Sequence, residues 1–169
     1  AADRRPGMSG TAKPPLPLSS RVLAQLLAWF FIVPHGYGIV LPVLPTMVER
    51  LAGSADPTFA ARHIGFLTAA YVAAPLAVAF LWGRVSDLIG RRPVLVVGLI
   101  GFAVTLAASA LAPNLLLLYV GRILNGGFAA AVVPTALAFI ADTEGDDDRR
   151  ARTFGWVNMA SIAGFLLGP

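Results

Sequence analysis

The sequence predicts an all-α integral membrane protein, and three observations carry that prediction. Of its 169 residues, 57% are hydrophobic and only 13% charged, against about a quarter charged in soluble domains; the mean hydropathy is +0.74. The apolar residues are gathered into runs of bilayer length: about 23–44, 64–82, 94–112 and 115–140, with a fifth from about 153 still running at 169. About 20 residues at 1.5 Å rise cover the roughly 30 Å hydrocarbon core. Backbone groups in lipid must be satisfied internally, so these runs should be helices. The alternating segments of about ten residues that mark a membrane barrel are absent. Lastly, the basic residues fall on one side. Arg4, Arg5, Lys13 and Arg21 precede the first run, Arg84, Arg91 and Arg92 separate the second from the third, and Arg149, Arg150 and Arg152 separate the fourth from the fifth. Only Arg50 and Arg62 fall on the other side. By the positive-inside rule, the N-terminus is cytoplasmic; the expected location is the inner (plasma) membrane. The high isoelectric point, near 10.3, is thus topological and does not indicate nucleic acid.

Residues 1–20, rich in Pro, Gly and Ser with scattered charge, read as a flexible cytoplasmic tail, and 21–169 as the membrane domain. The first run is too long for a signal h-region and no small-x-small cleavage site closes it, so it should be retained as a span. It ends Gly36-Tyr37-Gly38-Ile39-Val40-Leu41-Pro42-Val43-Leu44-Pro45. The prolines and glycines loosen a membrane helix and free backbone groups to line a solute path. His35, in the same run, changes charge near neutral pH and either carries a proton or hydrogen-bonds a neighbouring helix. Residues 46–62 read as a polar outer loop.

Between the second and third runs lies Gly83-Arg84-Val85-Ser86-Asp87-Leu88-Ile89-Gly90-Arg91-Arg92-Pro93. Gly83 and Asp87 share a helix face, Gly90 supplies a left-handed turn, and Pro93 suits the first turn of a helix. The third and fourth runs meet at the tight turn Ala112-Pro113-Asn114. Arg122 then lies about seven residues into the fourth run, roughly 10 Å down the helix, in the stretch Arg122-Ile123-Leu124-Asn125-Gly126-Gly127-Phe128-Ala129-Ala130. An arginine at that depth is usually kept for a pathway or a partner. The inner loop 142–152 carries Asp142, then Asp146-Asp147-Asp148 and three arginines. Trp82, Tyr119 and Trp156 fall near span ends, where aromatic anchors belong. A short likeness between Ala61-Arg62-His63-Ile64-Gly65-Phe66 and Ala151-Arg152-Thr153-Phe154-Gly155-Trp156, on opposite sides, fits an inverted three-helix repeat.

These motifs carry a resemblance. The loop from Gly83 to Arg92 resembles the G-x-x-x-D-x-x-G-R-R loop of the major facilitator superfamily, with Leu88 where a basic residue is usual. The stretch at Arg122 resembles the family's R-x-x-Q-G-x-x-A-A motif, with Asn125 for Gln. Gly164-Phe165-Leu166-Leu167-Gly168-Pro169 resembles the opening of the antiporter motif G-x-x-x-G-P. The whole is most similar to the N-terminal half of a twelve-helix drug/proton antiporter of the tetracycline-exporter branch. Those exporters carry an Asp in the first span; here the aligned position is Val33.

The resemblance implies a major-facilitator-type helical bundle, with five helices of a six-helix half. It implies a proton-coupled exporter of small amphiphilic compounds working by alternating access. Gly83, Asp87, Gly90, Arg91, Arg92 and Asp142 would form a cytoplasmic gate latch. Arg122, His35 and Asn125 would serve proton coupling or the substrate path. Pro42, Pro45, Gly126, Gly164, Gly168 and Pro169 would bend and pack the helices. Its partners would be the lipid bilayer, a small-molecule substrate with protons, and a C-terminal half or another membrane subunit. The alternative is a transporter-derived structural or assembly subunit that moves no solute. No phosphate-binding loop, metal-ligand spacing or nucleophile–base pair is evident, so neither an enzyme nor a cofactor is expected.

Overall fold

The structure, a computed structural model, describes residues 18–53 and 56–169. They form five helices: α1 Ser20–Ala52, α2 Pro57–Ile89, α3 Arg91–Ala110, α4 Leu115–Thr143 and α5 Asp147–Leu166. The expected tail falls almost wholly outside the described residues.

Each boundary has a local cause. Ser19 accepts a hydrogen bond from the Val22 amide and caps α1, and Asn114 accepts from the Leu117 amide (2.9 Å) and caps α4. Asp56 caps α2, with Pro57 behind it. Gly53, at φ 60° and ψ 20°, closes α1 in the left-handed region. Gly90 separates α2 from α3 at φ 96° and ψ 159°. That is not the expected left-handed turn but the mirror of an extended strand, a conformation essentially reserved for glycine. It lets one helix stop and the next begin with a single residue between them.

The helices overrun the apolar runs. The polar loop expected over 46–62 is mostly helical, leaving only 53–56 between α1 and α2. Packing explains this: Leu44, Met47 and Val48 of α1 and Ala60 and Leu67 of α2 bury each other with Ala112 and Leu118. The half-buried amphipathic turns there have too few apolar residues to register as a span. Likewise α2 absorbs Gly83 to Ile89 of the loop motif, and α5 begins at Asp147, with Asp147 and Asp148 in its first turn. Four helices, α1 to α4, are long and apolar enough to cross a membrane. The expected fifth span, about 153–169, is helical to Leu166, but the charged turns from Asp147 to Arg152 keep α5 out of that group.

α4 is the centre of the bundle. Its buried face runs Leu118, Arg122, Asn125, Ala129, Val132, Ala136 and Ile140. It packs most extensively on α2 and α3, while α1 packs on α5. Small residues let the backbones approach closely. A Cβ at Gly126 would collide with the Tyr71 carbonyl oxygen of α2, and one at Gly164 with the Phe31 carbonyl oxygen of α1. Apolar side chains such as Phe66, Leu76 and Phe80 of α2 are exposed, as a lipid-facing surface requires. Arg122 aside, every described charged residue lies within about two turns of a helix end.

Candidate functional site

Arg122 is 0% exposed. A snorkelling arginine would keep its head group in water; this one is enclosed. Its guanidinium carbon lies 4.5 Å from the Tyr71 ring centroid and 5.5 Å from that of Tyr37. The two rings stack on each other, 4.6 Å apart and 15° from parallel. None of the three guanidinium nitrogens has a hydrogen-bond partner among the described residues. A charge at this depth costs about 2.5–3.5 kcal/mol on insertion scales, and cation–π contacts of about 0.5–2 kcal/mol offset part of it. Among the described residues no carboxylate pairs with Arg122, which leaves a positive charge inside the bundle.

About two to three turns further along α4, the same tyrosines line a cavity of about 400 Å³, with Val33, Pro75, Ala130 and Pro134. Among the described residues that line it, none carries a carboxylate. The motifs of the sequence do not include Tyr37 and Tyr71 as site residues. A signal for them exists: each is a lone tyrosine in an otherwise uncharged run, and a membrane arginine needs such a partner.

The other two residues assigned to this path sit elsewhere. The Asn125 side-chain amide donates to the Phe102 carbonyl (2.9 Å) and to Thr105 Oγ1 (3.1 Å), tying α4 to α3. His35 Nδ1 lies 3.2 Å from the Gly164 carbonyl. A carbonyl only accepts, so Nδ1 carries the hydrogen, and the bond ties α1 to α5. Neither residue lines the cavity. Of the bending and packing residues, Pro42 and Pro45 lie within an unbroken α1. Gly168 stands against α1, where a Cβ would sit 2.8 Å from Gly38 Cα; Pro169 approaches the same glycine.

At the basic end, Arg91 organises a second cluster. Its Nη1 lies 2.9 Å from Asp87 Oδ1 and donates to Ser86 Oγ (2.9 Å), and its Nε lies 3.2 Å from Asp142 Oδ2 on α4. One guanidinium therefore clasps the ends of α2 and α4, made possible by the single-residue break at Gly90. Ser86, buried near the end of α2, escapes a reading of the sequence because only the fold turns it toward Arg91. Gly83 takes no part: it is exposed, and a Cβ there would meet nothing. Arg92 makes no ion pair among the described residues and lines a different cavity, between α1 and α3. Two further ties join α2 to α4: Trp82 Nε1 donates to the Gly127 carbonyl (2.8 Å), and His63 Nδ1 lies 2.9 Å from the Tyr119 hydroxyl. Trp82 and Tyr119 thus bond other helices, beyond any interfacial anchoring.

The Major Facilitator Superfamily profile matches residues 24–169. The chain belongs to the major facilitator superfamily. Among relatives, the class G tetracycline resistance protein of Vibrio anguillarum is 36% identical over 151 residues, 89% of this chain and 37% of that protein. The class B tetracycline resistance protein of Escherichia coli is 37% identical over 134 residues, covering 79% and 32%. Multidrug resistance protein 1 of Bacillus subtilis (strain 168) is 32% identical over 147 residues, covering 87% and 36%. The chain spans about a third of the length of these curated relatives. Membership in this superfamily makes it a multi-pass membrane protein of a transporter family rather than an enzyme. The structural-subunit alternative gains no support from these relatives.

Proposed function

We propose that this chain is the N-terminal part of a proton-coupled exporter of small amphiphilic compounds, seated in the plasma membrane with its N-terminus cytoplasmic. The observation that supports this reading is Arg122, buried without a hydrogen-bond partner among the described residues, beside a cavity lined by apolar and aromatic residues. An arginine stays charged at physiological pH, so it does not itself ferry the proton. It acts as a fixed positive charge. At about 10 Å and an effective dielectric of about 20, such a charge shifts the energy of another unit charge by roughly 2 kcal/mol. A proton or a substrate charge entering the cavity therefore changes the balance between inward- and outward-open states. The remainder of a longer protein would supply the opposing wall, and the two parts would rock about the cavity. The Arg91 cluster, with Asp87, Asp142 and Ser86, would hold the cytoplasmic side shut in one of the two states.

The test is Arg122→Ala in the complete protein, followed as substrate uptake into inverted membrane vesicles with an imposed proton gradient. Gradient-driven transport should be lost while the amount of protein in the membrane stays the same. Unchanged gradient-driven transport would overturn the assignment of Arg122.

A further inference from the structure

A cavity of about 410 Å³ opens at the basic end between α1 and α3, outside both clusters described above, and is lined by Arg21, Gln25, Trp29, Arg92, Leu95 and Phe139 among others. Its charge is anomalous. The N-terminus of a helix carries roughly half a positive charge, so acidic residues stabilise it and basic ones do not. α5 follows the rule, with Asp147 and Asp148 in its first turn. α1 and α3 have no acidic residue there and carry Arg21 and Arg92 instead, and Gly90 gives α3 no side-chain cap. Neither arginine forms an ion pair or hydrogen bond among the described residues. Two guanidinium groups and two helix N-termini thus converge on one cavity with no acidic residue in its described lining.

Its floor is apolar. Leu26, Trp29, Leu95 and Phe139 line it below the arginines. From it the exposed side chains Val96, Ile100 and Val104 run along α3 at four-residue spacing toward the middle of the bilayer. A cationic mouth above an apolar track matches one kind of occupant. We propose that this cavity is a binding site for an anionic phospholipid of the cytoplasmic leaflet. Arg21, Arg92 and Gln25 take the phosphate, and an acyl chain lies along α3. Basic pockets between transmembrane helices on the cytoplasmic side suit such headgroups. Residues 1–17 are a poor competitor for the cavity, because Arg4, Arg5 and Lys13 outweigh Asp3.

The test is native mass spectrometry of the complete protein, titrated with phosphatidylglycerol, with phosphatidylcholine of the same chains, and with inorganic phosphate. The wild type should hold phosphatidylglycerol in preference to phosphatidylcholine. Arg21→Gln with Arg92→Gln should weaken phosphatidylglycerol binding roughly 30-fold, the effect of two arginines at a charged surface. Arg21→Lys with Arg92→Lys should keep most of the affinity, which separates loss of charge from loss of fold. Arg84→Gln with Arg152→Gln, an equal charge change at the same membrane face but outside the cavity, should leave binding within about twofold. Equal weakening by that control pair would overturn the proposal, as would equal affinity for the two lipids. Displacement of phosphatidylglycerol by inorganic phosphate at matching concentration would assign the site to a soluble anion and overturn the lipid assignment.

Discussion

Arg91 and Arg122 are the same side chain solved in opposite ways. Arg91 is 28% exposed and meets two carboxylates and a hydroxyl. Arg122 is 0% exposed and meets two aromatic faces and no hydrogen-bond acceptor among the described residues. Arg91 sits where water already screens it, so its ion pairs hold little energy and are easily broken. Arg122 sits where nothing screens it, so its charge is felt across the bundle at a standing cost to stability. A part that opens and closes needs weak, reversible contacts. A part that senses charge needs an unneutralised one.

Opposite effects on stability and transport are the strongest test of that contrast. Arg122→Met keeps an unbranched, flexible side chain of similar reach and removes the charge. It should leave the complete protein as stable as the wild type or stabilise it by about 1 kcal/mol, because relief of the insertion cost outweighs the cation–π attraction given up. Gradient-driven transport should fall at least about 100-fold. Thermal unfolding in lipid nanodiscs beside vesicle transport reads both. A stability loss above about 2 kcal/mol would reveal a strong partner for Arg122 and end the comparison.

How much of this was written in the sequence differs between the two arginines. The Arg91 cluster was legible as a motif, because Asp87 and Arg91 are four apart and the loop is short; only the choice of Asp142 needed a second segment. Yet Gly83 and Arg92, in the same motif, stand outside the cluster, since spacing along a chain does not say which way a helix end faces its neighbours. Depth marked Arg122 as unusual, but Tyr37 and Tyr71 lie on two other helices, and no periodicity links residues that far apart. His35 and Asn125 were plausible path residues by chemistry, and packing turned both to neighbouring helices. Helix ends run past the apolar runs wherever packing rather than hydropathy sets them, as over 46–62.

A smaller effect separates the arginines by salt. At about 0.15 M the Debye length is roughly 8 Å and at 1 M roughly 3 Å, so exposed ion pairs weaken while buried ones do not. Asp142→Asn should change stability by less than about 1 kcal/mol, because Asp142 is 61% exposed. It should nevertheless raise the accessibility of a cysteine label introduced at the basic end of the bundle severalfold at low salt. The wild type should approach that accessibility in 1 M salt. Salt-independent labelling of the wild type would mean that the Arg91 cluster does not hold the helix ends together.

The smallest chemical change, loss of a single hydroxyl, concerns Ser86, which is 2% exposed beside carboxylates that are 67% and 61% exposed. Counting charges ranks it last in the cluster, yet burial argues otherwise. Asp87 and Asp142 exchange one solvated partner for another when Arg91 lets go, so each contributes little net. The Ser86 hydroxyl is shielded and hydrogen-bonds to a charged group, an interaction worth about 1.5–3 kcal/mol at most and less at a half-open site. Ser86→Ala should therefore destabilise the complete protein by about 1 kcal/mol, at least as much as Asp142→Asn, in the same unfolding measurement. If Asp142→Asn proves the more damaging by a clear margin, the pair is better shielded in the complete protein than in this chain. Arg91 would then be anchored by its ion pairs rather than by the buried hydroxyl.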